Sequence, residues 1–138
     1  MGSEIYEAFV RAFVTASDWM NMTRVEPVAP FEVCYGGGRA VVPVVDVVLQ
    51  SEMVRWKIHG HNSMVEVGDD DGVMCLGFLN GGLDLGASIV IGGHQLDDNL
   101  MEFDLESSMM GFSSSLLMKG TSCSDISLHS ARKPHESI

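Results

Sequence analysis

Ser88-Ile89-Val90-Ile91-Gly92-Gly93-His94-Gln95-Leu96-Asp97-Asp98-Asn99-Leu100 is the stretch on which the fold turns. Its apolar head is too short for a helix and ends on two glycines, so it reads as a brief extended run closed by a turn. His94 to Asn99 has room for one short helical turn. Leu100 to Leu105 and Met110 to Ser114 then follow as two further short apolar runs. Upstream, the same kind of run recurs at Val44 to Gln50, Val54 to His59, Ser63 to Val67 and Val73 to Leu79. All are rich in Val, Ile and Phe and are separated by Gly, Asp, Asn or Ser clusters. Seven short strands so closely spaced predict a mostly β, antiparallel, sandwich-like domain.

Only residues 3 to 18 predict a substantial helix. Ser3 is a plausible N-cap, Glu4 and Glu7 suit the positive first turn, and Ile5, Phe9, Phe13 and Val14 fall near one face. Asn21 to Pro30 reads as a connector, because Pro27 and Pro30 stop any helix. Gly36-Gly37-Gly38 reads as a flexible turn. One domain over residues 1–127 and a disordered polar tail over 128–138 are expected.

Composition narrows the function. The chain has 138 residues, 46% hydrophobic and 20% charged, which is a globular balance with room for one domain. A net charge of −11 argues against nucleic-acid binding, which needs a cationic surface, and against attraction to an anionic membrane. Met1-Gly2-Ser3-Glu4 has neither a basic start nor an apolar core, so no signal peptide is expected. Tyr6 stands where a myristoylation motif needs Ser or Thr. Cys34, Cys75 and Cys123 form no C-x-x-C pair, which argues against a zinc site. They leave two readings open: three buried thiols, or one pair with a third cysteine left over. The sequon Asn21-Met22-Thr23 tilts towards a secreted context.

The candidates for chemistry are thin, and no cofactor is expected. Asp69-Asp70-Asp71-Gly72 is too short for an EF-hand and reads as a charged hairpin tip. His59 and His61 alternate and could share a strand face as metal ligands, but no third ligand lies at a suggestive spacing. A solvated pair is the preferred reading. His94 after Gly92-Gly93 has no nearby Lys or Arg to make it an anion site. No G-x-S-x-G elbow is present, and none of the cysteines has a local base. The methionines read as core filler. A paired-carboxylate protease needs an Asp followed by Thr or Ser and then Gly, so that two small loops can meet and share a proton. None of Asp18, Asp46, Asp69, Asp70, Asp71, Asp84, Asp97, Asp98, Asp104 and Asp125 is so followed.

The opening stretch, with Glu102-Phe103-Asp104-Leu105 and Met110-Gly111-Phe112-Ser113, resembles the closing segment of pepsin-like aspartic proteases. In that family two apolar residues and a Gly end a core strand behind the active-site loop, as Ile89 to Gly92 do here. A short helix, a strand ending in Phe-Asp and a Gly-Phe-Ser strand come next. Val28-Ala29-Pro30-Phe31, Cys34-Tyr35, Val42-Pro43, Trp56 and Asn62-Ser63-Met64-Val65 narrow the resemblance to one plant group. Its members are the extracellular dermal glycoproteins, basic 7S globulins, γ-conglutins and xylanase inhibitors. The resemblance covers Ile5 to Cys123 and implies the later part of the C-terminal lobe, with one N-terminal and one short helix.

Several consequences follow from the resemblance. The family's second catalytic Asp precedes the helix that begins here at Ser3, so the chain is expected to be a truncated product, inactive alone, whose partner is the N-terminal lobe. It further implies a Cys34–Cys75 disulfide and an orphan thiol at Cys123 that in the family reaches beyond this segment, while the sequon marks Asn21 as a glycan site. It implies an apoplastic parent. In the xylanase inhibitors a His in the loop after the Gly-Phe-Ser strand enters the xylanase, whereas Ser114 to Lys119 holds none. Two functions are therefore expected to compete: an inert part of an aspartic-endopeptidase-like protein, and an inhibitor or binding protein directed at microbial xylanases or endoglucanases. A free-standing cytosolic β domain is the third.

Overall fold

A computed structural model describes residues 1–38, 41–68 and 72–126. Helix α1 runs Ser3–Trp19, and its buried stripe is Tyr6, Phe13 and Ser17, with Phe9, Val10 and Val14 packed partly against the core. The stripe is rotated from the expected one, because Ile5 is exposed while Tyr6 turns inward. The N-cap also differs. Gly2 holds that position, and the Ser3 hydroxyl instead donates to Asn80 Oδ1 at 2.8 Å. Ser3 is already the first helical residue, and its bond to Asn80 fastens the helix start to a distant loop.

After the helix, Asn21 takes a left-handed conformation (φ 56°), which Asn tolerates better than most residues, and the chain reverses. Strands β1 (Thr23–Val25), β2 (Cys34–Gly36), β3 (Val45–Val48) and β4 (Arg55–Ile58) follow. A short helix α2 (Gly60–Ser63) leads into β5 (Met64–Val67) and β6 (Val73–Leu76). Next come α3 (Gly93–Leu96), β7 (Met101–Asp104) and β8 (Met109–Phe112). Two short 3-10 turns, Leu116–Lys119 and Cys123–Asp125, close the described chain.

The strands do not form a sandwich of seven. They form one antiparallel four-stranded sheet, in the order β1-β2-β6-β5, and two separate hairpins, β3–β4 and β7–β8. Strand β1 arises within the predicted connector, and β2 lies in a stretch predicted as no strand, reaching the expected flexible turn only at Gly36. Residues 88–91, predicted as a strand, join no ladder: the Ser88 carbonyl accepts from Gly2 N–H at 2.9 Å, and Val90 is well exposed. One such bond fixes a position without building a ladder. The Asp69-Asp70-Asp71 tip and the tail with its 127/128 boundary lie outside the described residues.

The core lies between α1, β2, β4 and β6 and gathers Val33, Tyr35, Ile58, Met64 and Leu76 with the helix aromatics. Phe9 meets Phe78 edge-on at 5.0 Å between centroids, and Phe13 sits 6.4 Å from Tyr35. Such tilted pairs add to the area they bury. Trp56 brings in the last hairpin, facing Phe112 at 6.3 Å while its indole N–H donates to Asn99 Oδ1 at 3.1 Å. In the β7–β8 turn, the Asp104 carboxylate accepts from the Ser107 hydroxyl at 2.6 Å and from the Ser107 and Glu106 amides. These bonds, the Ser107 hydroxyl foremost, hold the Asp104 carboxyl below the usual range, because they favour its charged form.

Burial of Tyr6, helped by its hydrogen bond to the Glu32 side chain and by that carboxylate's charge, pushes its phenol up to about 12. The native state then binds this proton more tightly than the unfolded chain, whose Tyr titrates near ~10. Stability from this group is complete below that value and lost as pH rises through about 12. Urea midpoints measured across that window are expected to fall with pH, and Tyr6→Phe is expected to flatten the fall.

Candidate functional site

The polar interior is concentrated where α2 and α3 meet β5 and β6. Asn62, 1% exposed, donates from its amide nitrogen to the carbonyls of His94 (3.0 Å) and Asp97 (2.8 Å), which ties the two short helices together. Gln95 donates to the Gly77 carbonyl at 2.9 Å and accepts from Gly92 N–H. His94 Nε2 lies 2.9 Å from the Met64 carbonyl. A carbonyl can only accept, so this nitrogen carries the proton and is not free to act as a base. Gly60, which opens α2, has no room for a side chain, since a Cβ there would lie 2.6 Å from Val42 Cγ2.

Beside this knot lies an open groove of about 630 Å³, lined among others by Val42, His61, Met64, Glu66, Met74 and His94. His61 forms one rim. Its Nε2 is 3.6 Å from Asp97 Oδ2 and 4.0 Å from Asp98 Oδ2. The alternation of His59 and His61 is therefore not the relevant spacing. His59 caps α2, its carbonyl accepting from Asn62 and Ser63 N–H, while His61 faces two carboxylates supplied by a distant part of the chain.

Cys34 and Cys75 stand opposite each other in the β2–β6 ladder and are joined as a disulfide, so neither offers a thiolate. Cys123 is an exposed free thiol whose N–H donates to Asp98 Oδ1 at 2.8 Å. Asn21 is exposed at the helix end. In the loop after Gly111-Phe112-Ser113, Leu116 is buried and the side chains presented outward are Leu117 and Met118.

This β sheet, with its leading helix and its α3–hairpin closure, is the architecture of the C-terminal lobe of a pepsin-like protein. The chain belongs to the xylanase inhibitor C-terminal family, whose profile matches residues 1–114. It is 48% identical over 136 residues to the probable aspartic proteinase GIP1 of Glycine max, covering 92% of this chain and 32% of that protein. It is 42% identical over 135 residues to the probable aspartic proteinase GIP2 of Nicotiana benthamiana, covering 93% and 30%. The chain thus spans about a third of the length of the curated relatives it matches. Among solved structures, edgp superposes with a TM-score of 0.82 at 47% identity, over 89% of this chain and 31% of that one. Conglutin gamma from lupine seeds superposes with a TM-score of 0.77 at 38% identity, over 91% and 32%.

Proposed function

We propose that this chain is a catalytically silent part of the C-terminal lobe of an extracellular aspartic-proteinase-like protein. One observation carries the reading: no Asp in the sequence is followed by Thr-Gly or Ser-Gly, so neither half of a carboxyl pair is present. The natural partner of such a segment is the remainder of a bilobal protein. A disulfide between two fully buried cysteines supports an oxidising compartment, and an exposed Asn21 in Asn-Met-Thr is a place for a glycan there. Purified chain incubated with casein at acid pH is expected to release no peptides. Cleavage that pepstatin abolishes would overturn the proposal.

A second reading, an inhibitor of microbial glycoside hydrolases, draws support from the description of the family itself. With Leu117 and Met118 outward and no imidazole in that loop, inhibition by an inserted His is not available to this chain. The same preparation at micromolar concentration is expected to leave xylanases and endoglucanases active. Stoichiometric loss of hydrolase activity would move the assignment to the second reading.

A further inference from the structure

We propose that His61, Asp97 and Asp98 form a surface site for a divalent transition-metal ion of the zinc class. Each residue offers one donor atom, and these atoms all lie within 4.8 Å of one another. Ligands on a tetrahedral zinc ion, with bonds of about 2.0–2.2 Å, sit roughly 3.4 Å apart. The observed 3.6 and 4.0 Å from His61 Nε2 need only a small closure. The exposed side chains of His61 and Asp97 are free to make it.

Charge points the same way. Among the described residues neither Asp97 nor Asp98 pairs with a Lys or Arg, so two carboxylates face each other with only an imidazole between them. A divalent cation relieves that repulsion, and a proton on one imidazole relieves it only in part. The donor set selects within the divalent ions. Calcium calls for six or more oxygens, magnesium disfavours nitrogen, and one imidazole with two carboxylates suits zinc with a water in the fourth position.

The carriers are held in place from behind. Asn62, next to His61, grips the Asp97 carbonyl, while the Cys123 amide donates to the Asp98 carboxylate oxygen not needed by the metal. Asp98 sits at φ 51°, a conformation that Asn shares readily, so Asp98→Asn removes the charge and keeps the backbone.

Calorimetric titration of the untagged, oxidised 138-residue chain with zinc chloride at neutral pH tests the site. One ion per chain is expected, with calcium giving no comparable binding. His61→Gln and Asp98→Asn should each weaken zinc about tenfold or more, with thermal unfolding unchanged. His59→Gln and Cys123→Ser should bind as the parent does. Lowering the pH should weaken binding, because proton and metal compete for the same nitrogen. Unaltered zinc affinity in His61→Gln, or loss of binding in Cys123→Ser with retention in His61→Gln, would overturn the proposal.

Discussion

The Cys34→Ala/Cys75→Ala double variant is expected to lose about 4 kcal/mol of unfolding free energy. The bond closes a sequence separation of 41, and on the chain-entropy account a loop of that size constrains the unfolded state by roughly this amount. The site also amplifies the loss. Both cysteines are fully buried, and they pair β2 with β6 at the centre of the four-stranded sheet. A domain of this size has roughly 5–15 kcal/mol in total, so the variant should sit near its folding threshold. Urea unfolding followed by far-UV circular dichroism is the measurement. Reductant should bring the parent chain to the variant's midpoint and should leave the variant unmoved. A shift below about 1 kcal/mol would show that the loop-entropy account fails here.

Asn62→Leu is expected to cost about 1–3 kcal/mol, because it leaves two partly buried carbonyls, those of His94 and Asp97, without their donor. Leu matches Asn roughly in size, so a cavity explains little of the loss. The other end of the Asn62 amide contributes little as well, since its buried Oδ1 has no protein partner. Asn62→Asp should be worse than Leu, because a carboxylate would face both carbonyls as a third acceptor. The readout is again the urea midpoint, with zinc titration beside it. Freed from Asn62, the α3 end should drift from α2, and zinc should weaken even though all three donor residues are retained. A variant as stable as the parent would show that the Asn62 bonds are replaceable by water.

The sequence carried the class of fold through motif order, and the finer structure through nothing so direct. The helix over residues 3–18 was legible because its apolar residues repeat at the helical period, and the structure gives Ser3–Trp19. The choice of face was less legible, since Ile5 and Tyr6 are both apolar enough to point inward and only packing in the assembled core decides between them. Strands β1 and β2 escaped notice because each has three residues, too few for alternation to show. The stretch at 88–91 has the composition of a strand but finds no ladder to join. Helix α2, Gly-His-Asn-Ser, has no helical propensity to advertise and exists because the His59 carbonyl accepts two amides. The His61–Asp97–Asp98 cluster was invisible for a different reason. Its ligands come from segments that local spacing cannot relate, and Asn62, set among His59, Gly60, His61 and Ser63, gives no local sign that it bridges them.

The two tryptophans occupy opposite environments: Trp19 is 84% exposed at the end of α1, while Trp56 is 7% exposed against Phe112 and Asn99. The chain therefore carries its own pair of optical reporters. Red-shifted, readily quenched emission comes from the helix end, and blue-shifted, protected emission comes from the seam where the final hairpin docks. Detachment of that hairpin can thus be watched separately from loss of the sheet, without attaching a dye.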